Sequence, residues 1–328
     1  MAPKNIYTDV QVDGNPIDVL TVEVTEGYQQ VTARSNIETD DISGVSLNDL
    51  VTIDIGYDGD HGQIFTGYID DIDDSRMPGT YQISCRDVLK LAIETWLVST
   101  DIENPWSRSH ISAEDLVHDL LAEAMITNYS GAASGFTFGV QNPAEFNMMS
   151  VNDAIRTLCH ILAYNYWARN GTVYFDRVFP YPDPGDPIDH SMSVGNTGNI
   201  VVIDYNYSTE ELRNRVVVFG AADDDIYAEE KVASPYLPAG FYKTAIVSSE
   251  FIDTQSMADA SAIYNLALYN KLTESMKIEA EGNYRYRMHD IIGVTEPFTG
   301  MSGDKWFLYA VTHRVSDQGY TSSLSLTR

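Results

Sequence analysis

Residues 47–55 read LNDLVTIDI and residues 65–72 read FTGYIDDI. Far along the chain, residues 288–296 read MHDIIGVTE and residues 307–315 read FLYAVTHRV. In each pair an Asp precedes an apolar strand pattern. A Phe then opens the next strand, Phe65 sixteen residues after Asp49 and Phe307 seventeen after Asp290. A further strand pattern follows in each, starting near Tyr81 and Tyr320. The identities are few; the shared order of elements predicts an internal repeat of a β-rich unit.

Outward from the first member, residues 1–85 read as strands. VQVDGNPIDVLTVEV (10–24) alternates by twos, with Asp13-Gly14 as its turn. VTARSNIE (31–38), LVTIDIGY (50–57), QIFTGYIDDI (63–72) and TYQISCRD (80–87) follow, separated by Gly, Asp and Pro. Short strands at this spacing predict a small antiparallel barrel or sandwich. Val88, Leu89, Ala92, Ile93 and Trp96 then recur at helical spacing.

Residues 101–180 change character. Ser112 with Asp115 and Ser150 with Asp153 read as two capping boxes. The first opens a helix through Leu116, Leu120 and Ala124, the second a helix through Ile155, Leu158 and Leu162. Residues 127–140 read as a Gly- and Ser-rich loop. YNYWARNGTVYFDRV (164–178) is a hairpin whose turn is Asn170-Gly171. The stretch 180–199 holds Pro180, Pro182, Pro184 and Pro187, and reads as a linker. Strands resume with IVVIDYNYS (200–208) and LRNRVVVFG (212–220). The longest helix is expected at 254–274, with Met257, Ala260, Ile263, Ala267 and Leu272 on its buried stripe and Lys271 near its end. SMKIEAEG (275–282), DIIGV (290–294), WFLYAVTHRV (306–315) and TSSLSL (321–326) close the pattern. The fold class is therefore α+β, mainly β.

The chain has 328 residues, 20 Lys+Arg and 48 Asp+Glu, for a formal charge of −28. Clustered Lys and Arg are what grip phosphates and anionic lipid, so this charge argues against both as docking partners. With 44% apolar and 21% charged residues the chain can bury a core. Asp outnumbers Glu by 31 to 17 and Arg outnumbers Lys by 13 to 7. Such a surface fits work in high salt, where screening weakens self-repulsion, or a moderately acidic surface in ordinary salt. Cys85 and Cys159 sit in apolar contexts and read as two buried thiols without a disulfide framework. The N-terminus shows no secretory signal pattern, and no apolar run approaches the ~18 residues needed to span a membrane.

Catalytic and cofactor motifs do not emerge. No GxSxG occurs; in GAASG (131–135), Ser134 stands one place off the nucleophile position. No GxxxxGK[ST], GxGxxG or HExxH is present. His118 and His160 fall on helices among apolar residues and read as structural. Two acidic runs stand out: Asp70, Asp71, Asp73 and Asp74 at a strand end, and Asp223, Asp224 and Asp225 after VVVFGAA. Clustered oxygens suit calcium, but the 12-residue loop pattern is missing, so both read as solvated acidic turns. The expectation is no enzyme, no cofactor and no resident metal.

The order of a β unit, an α/β insert, a Pro-rich link and a second β unit resembles the baseplate hub proteins of tailed phages, the late control protein D type. FTGYIDDI followed by TYQISCRDVLKLA looks like the first hub domain closing into its helix. SVNDAIRTLCHILAYNYWARNGTVYFDR (150–177) is similar to the family's segment of a helix followed by an aromatic- and Gly-rich hairpin. LRNRVVVFG resembles the strand opening the second tube-like domain. The match is closest over 287–326, RMHDIIGVTEPFTGMSGDKWFLYAVTHRVSDQGYTSSLSL. His289 stands where the family often has a Gly before the Asp of this turn. The resemblance implies two tail-tube-like antiparallel β-barrel domains with a mixed insert. Their expected bounds are 1–100, a first barrel with its closing helix; 101–180, the insert; 181–199, the linker; and 200–328, a second barrel with the long helix. It implies a trimeric tail hub, a structural virion protein of the baseplate, that adapts a sixfold tail tube above to a threefold central spike below. The tape measure and other baseplate proteins would be further partners. DNA would pass an acidic lumen without specific binding, with the two Asp runs as candidate lumen or loop residues. Synthesis in the host cytoplasm and no membrane insertion are expected. The chain stops after TSSLSL, so no fused lytic domain is expected. Three other readings stand beside this one: a hub of a non-viral contractile injection system, a carbohydrate-active enzyme of the tail, and a small-ligand or carbohydrate-binding β module.

Overall fold

The computed structural model describes residues 5–28, 30–77, 79–99, 105–194, 199–221, 225–271, 273–297 and 300–328. The first seven strands are β1 (Ile6–Val12), β2 (Asn15–Ile17), β3 (Thr21–Gly27), β4 (Arg34–Thr39), β5 (Leu50–Tyr57), β6 (Asp60–Met77) and β7 (Thr80–Asp87). Asp13 (φ 48°) and Gly14 (φ 77°) both lie in the left-handed region, which is why that pair closes the β1–β2 hairpin. Alternation decides the faces: Val51, Ile53 and Ile55 point into the core from β5, and Ile83, Cys85 and Asp87 from β7.

The α/β region follows, with α1 (Leu89–Glu94), α2 (Ala113–Glu123), β8 (Tyr129–Gly131), α3 (Val151–Leu162), β9 (Asn165–Arg169) and β10 (Thr172–Asp176). The helix read from Val88 to Trp96 is one short turn pair, and Trp96 lies exposed beyond it. Ser112 Oγ accepts the Asp115 N–H at 3.2 Å and Ser150 Oγ accepts the Asp153 N–H at 3.0 Å, so both expected caps are made. Asn170 (φ 50°) and Gly171 (φ 79°) turn β9 into β10. β8, inside the stretch read as loop, pairs parallel with β10.

The remaining elements are β11 (His190–Ser193), β12 (Ile200–Ser208), β13 (Arg215–Phe219), β14 (Tyr227–Lys231), β15 (Thr244–Ser248), α4 (Gln255–Tyr269), β16 (Thr273–Glu281), β17 (Ile291–Glu296), β18 (Met301–Ser316) and β19 (Gly319–Thr327). The Pro-rich stretch is therefore more than a spacer: His190–Ser193 forms a parallel ladder with β17. Proline excludes regular structure only where it stands, and none falls between His190 and Ser193.

Among the described residues, thirteen strands join in one sheet, ordered β12-β16-β19-β18-β3-β4-β7-β6-β5-β1-β2, with β17 beside β18 and β11 beside β17. The order β3-β4-β7-β6-β5-β1 is repeated, strand for strand, as β12-β16-β19-β18-β17-β11. Residue rows match as well. Ile72, Ile83, Ile37 and Val22 lie opposite one another across β6, β7, β4 and β3. Val311, Leu324, Ile278 and Ile203 do the same across β18, β19, β16 and β12. Direction differs only at the last member, where β1 runs antiparallel to β5 and β11 parallel to β17. The repeat expected from the sequence is thus present in the strand order.

The two halves differ in what joins β3 to β4 and β12 to β16. Residues 28–33 make the first connection. Residues 209–272 make the second and contain β13, β14, β15 and α4. Those elements, assigned from sequence to the second β unit, share their buried core with the α/β region: Val216, Val218, Val247, Ala258 and Ala262 cluster with Leu116, Ile155 and Leu158. Two further clusters lie in the sheet, one under each half.

Helix α4 is shorter than the expected 254–274, and its buried face is not the expected one. Met257, Ala258, Ser261, Ala262 and Asn265 are buried, whereas Ile263 is 53% exposed and Ala267 is also exposed. Leu272 lies outside the described residues. The reason is polar: Ser261 Oγ donates to the Ile161 carbonyl at 2.7 Å, and Asn265 Nδ2 donates to the Ser261 carbonyl at 2.9 Å. Small and polar residues let α4 approach α3 closely, and an apolar count along the sequence does not register that. Cys85 and Cys159 are free and buried, as expected.

Candidate functional site

Each half of the sheet is anchored by the same turn. Asp49 Oδ2 accepts the Ser46 N–H at 2.7 Å, and Asp290 Oδ2 accepts the Arg287 N–H at 2.8 Å. Asn48 N–H donates to the Ile69 carbonyl at 3.0 Å, and Ile69 N–H donates to the Asp49 carbonyl at 3.1 Å. In the second half His289 N–H donates to Leu308 at 2.9 Å and Leu308 N–H to Asp290 at 2.8 Å. Asn48 (φ 68°) and His289 (φ 81°) are both left-handed, the conformation that favours glycine at this place. The turns also correct the register read from sequence. Leu50 lies opposite Tyr68 and Ile291 opposite Phe307, so Phe307 corresponds to Tyr68 rather than Phe65. Both hairpins carry one bulge, but β5 is two residues longer than β17, so the spacing to the matching position differs between the halves and counting along the chain cannot anticipate it.

The halves meet where β18 runs antiparallel to β3, with Ala310 opposite Gly27 and Val315 opposite Val22. Beside this junction, Arg287 Nη2 stands 2.9 Å from Glu26 Oε1, both side chains being buried. Burial pulls the Arg287 guanidinium below its ordinary range, against the pull of Glu26. Arg169, on the β9–β10 hairpin, donates from Nη2 to the Met288 carbonyl at 2.7 Å. Asp87 accepts N–H bonds from Ala33 at 2.7 Å and Leu89 at 2.9 Å, and burial pushes its carboxyl up to about 8. Glu26, Asp87, Arg169 and Arg287 thus form a polar node where both halves and the α/β region converge. Sequence reasoning missed this node, because nothing local marks a Glu on one strand as the partner of an Arg at the other end of the chain.

The first Asp run lies within β6, not in a turn at its end. Asp70 occupies a bulge between Ile69 and Asp71. It is paired with Arg86, whose Nη2 lies 3.0 Å from Oδ1, and with Lys90, whose Nζ lies 2.7 Å from Oδ1. Burial alone would raise its carboxyl; Arg86 and Lys90 outweigh that and hold it below the usual range. Asp71 and Asp74 are exposed and Asp73 is half-buried. Asp225 is exposed in a left-handed turn, while Asp223 and Asp224 lie outside the described residues. The structure therefore brings Asp70 together with two cations. Among the described residues no three His, Cys, Asp or Glu side chains gather as a metal site.

Ser134 is buried, and its hydroxyl donates to Glu114 Oε2 at 2.9 Å, an internal bond rather than a presented nucleophile. His118 and His160 sit on the outer faces of their helices, not among the apolar residues that flank them in sequence. An open cleft of about 580 Å³ lies beside β12, lined by Tyr181, Tyr205, Tyr269 and Tyr309.

No protein-family model matches the chain, and no curated protein matches it by sequence. Solved structures do. A tail protein from Neisseria meningitidis is 14% identical with a TM-score of 0.71, over 99% of this chain and 97% of its own. The 43 kDa tail protein of prophage MuSo2 from Shewanella oneidensis is 13% identical with a TM-score of 0.70, over 98% of both chains. An Escherichia coli component of the type VI secretion system is 12% identical with a TM-score of 0.56, over 97% of this chain and 76% of its own. The chain has the fold of prophage tail proteins along its whole length.

Proposed function

We propose that the protein is a structural tail or baseplate component, a homotrimeric hub that joins a sixfold tail tube to a threefold central spike. One observation carries this reading: a six-strand order that occurs twice in one chain, within a fold shared end to end with prophage tail proteins. Three chains, each giving two similar sheet units, would make a ring of six quasi-equivalent units. The two units would be tube-like domains, divided along the expected bounds except that β13–β15 and α4 go with the insert. Tail tube protein above, spike protein below, and tape measure and other baseplate proteins would be its partners in the virion tail.

The charge of −28 supports a lumen that repels phosphate, so that DNA slides through without specific binding. Asp71 and Asp73, two apart on β6, with Asp74 and Asp225, are the described candidates for that surface. A non-enzymatic role accords with the buried, internally bonded Ser134. A hub of a non-viral contractile injection system is the second reading, favoured by the likeness to the Escherichia coli secretion component. Neighbouring genes separate the two. Light scattering on the purified chain, with class averages by electron microscopy, tests the hub. Three times the chain mass and a ring of six units are expected; a monomer at every concentration would overturn the proposal.

A further inference from the structure

The junction inside the chain has an unmade counterpart. Within the chain β18 pairs with β3. In the strand-for-strand match β18 corresponds to β6, and β3 corresponds to β12. The complementary pair, β6 with β12, is not formed among the described residues.

Both strands nevertheless present the edges it needs. Beyond Ile69, β6 has β7 on one side and no strand on the other among the described residues. Among the described residues β12 is the last strand of its end of the sheet and pairs only with β16. Its side chains are unusually bare for a nine-residue strand rich in Val and Tyr: Val201 is 76% exposed and Tyr207 is 69% exposed. A long apolar edge of this kind templates pairing with another chain, and native proteins rarely leave one open.

We infer that β12 of one chain pairs antiparallel with β6 from Asp71 onward in a second copy, reproducing the β3–β18 junction between chains. The matched rows fix the register. Thr25 opposite Thr312 becomes Asn206 opposite Asp73, and Gly27 opposite Ala310 becomes Ser208 opposite Asp71. Ile72 then faces Tyr207, giving that exposed ring an apolar neighbour. The contact is head-to-tail, the kind that closes into a ring when the rotation allows and grows into a filament when it does not. The inference rests on the ring reading above and adds the two edges that would close it.

Cross-linking tests it with the full chain. The pair Asp71→Cys and Ser208→Cys, directly opposed in this register at a Cβ separation of roughly 5 Å, should be joined by a short bis-maleimide into a covalent closed trimer. The control pair Asp71→Cys and Val201→Cys lies seven positions out of register, roughly 23 Å along the strand, and should stay monomeric on a denaturing gel. A trimer in solution without the first cross-link, or with equal cross-linking of the control, would overturn the pairing and leave the hub reading standing. A monomer at every concentration would overturn both. Tyr207→Asp offers a second measure: dissociation is expected at concentrations where the parent chain is assembled, with the melting of the monomer unchanged. Assembly as strong as the parent's would count against β12 as the contact.

Discussion

The carboxylate of Glu26 and the guanidinium of Arg287 lie 2.9 Å apart and buried, although they come from opposite ends of the chain. Glu26 sits on β3 in the first half, and Arg287 opens the Asp290 turn of the second. Removing one member leaves the other charged and desolvated. Arg287→Met or Glu26→Met alone should therefore destabilise the fold by about 3–5 kcal/mol, while the two together should recover most of the loss. Urea midpoints of the two singles and the double form the cycle. A double variant that loses the sum of both singles would mean the pair is not coupled.

His313 makes a pH-dependent contribution to stability. It is buried beside the β3–β18 junction, with Nε2 3.0 Å from the Tyr286 carbonyl and Nδ1 2.9 Å from the Tyr320 hydroxyl. A carbonyl only accepts, so Nε2 carries the proton and Nδ1 is the acceptor facing the hydroxyls of Tyr320 and of Ser322, the latter at 3.1 Å. Burial pushes this imidazole down to about 4. A histidine depressed in the folded state stabilises fully above its unfolded value near 6.5. That contribution is lost as pH falls toward 4. The loss is on the order of 3 kcal/mol. Asp87, raised to about 8, acts in the opposite sense between roughly pH 4 and 8, so the test is a comparison. His313→Gln should lower stability at pH 7, and its deficit against the parent should shrink as pH falls from 6.5 to 4; a deficit that stays constant would show that His313 does not titrate in this way.

On α4 the buried face follows Ser261 and Ala262, not Ile263. Ile263→Asp should change stability by no more than ~0.5 kcal/mol. Ala262→Leu, forced against α3, should cost about 1–3 kcal/mol. Thermal melts of the two variants decide between this face and the alternative stripe through Ile263, which requires the reverse order.

Salt should stabilise the chain. With 48 acids against 20 bases, folding concentrates repulsion that mobile ions relieve. The melting temperature should rise between dilute buffer and ~1 M salt, where the Debye length is about 3 Å. A flat or falling trend would place the acids in compensated pairs such as Asp70 with Arg86 and Lys90.

Legibility followed locality. Asp13-Gly14, Asn170-Gly171 and the Ser112 and Ser150 caps were readable because a few adjacent residues decide them. The repeat was readable in outline, since Asp49 and Asp290 each start the same order of strands. Its register was not, because β5 is two residues longer than β17 and nothing local in the sequence marks the difference. β11 hid among prolines because its partner, β17, lies about a hundred residues on, and the Glu26–Arg287 pair was hidden for the same reason. The face of α4 was misread because hydroxyl and amide contacts to the Ile161 carbonyl outweighed the apolar count.

The β3–β18 ladder has a consequence for the order of synthesis. Val22 leaves the ribosome almost first and its partner Val315 almost last. At ~5–20 residues per second the interval is on the order of tens of seconds. Throughout it, β3 has β4 on one side and a bare edge on the other, in a chain whose apolar β-strands are prone to pair with neighbours on the same message. The nascent first half thus waits, incomplete, for the penultimate strand of its own polypeptide. A fragment ending before Met301 would keep that edge open indefinitely, so truncation late in the reading frame should yield aggregate rather than a smaller folded product.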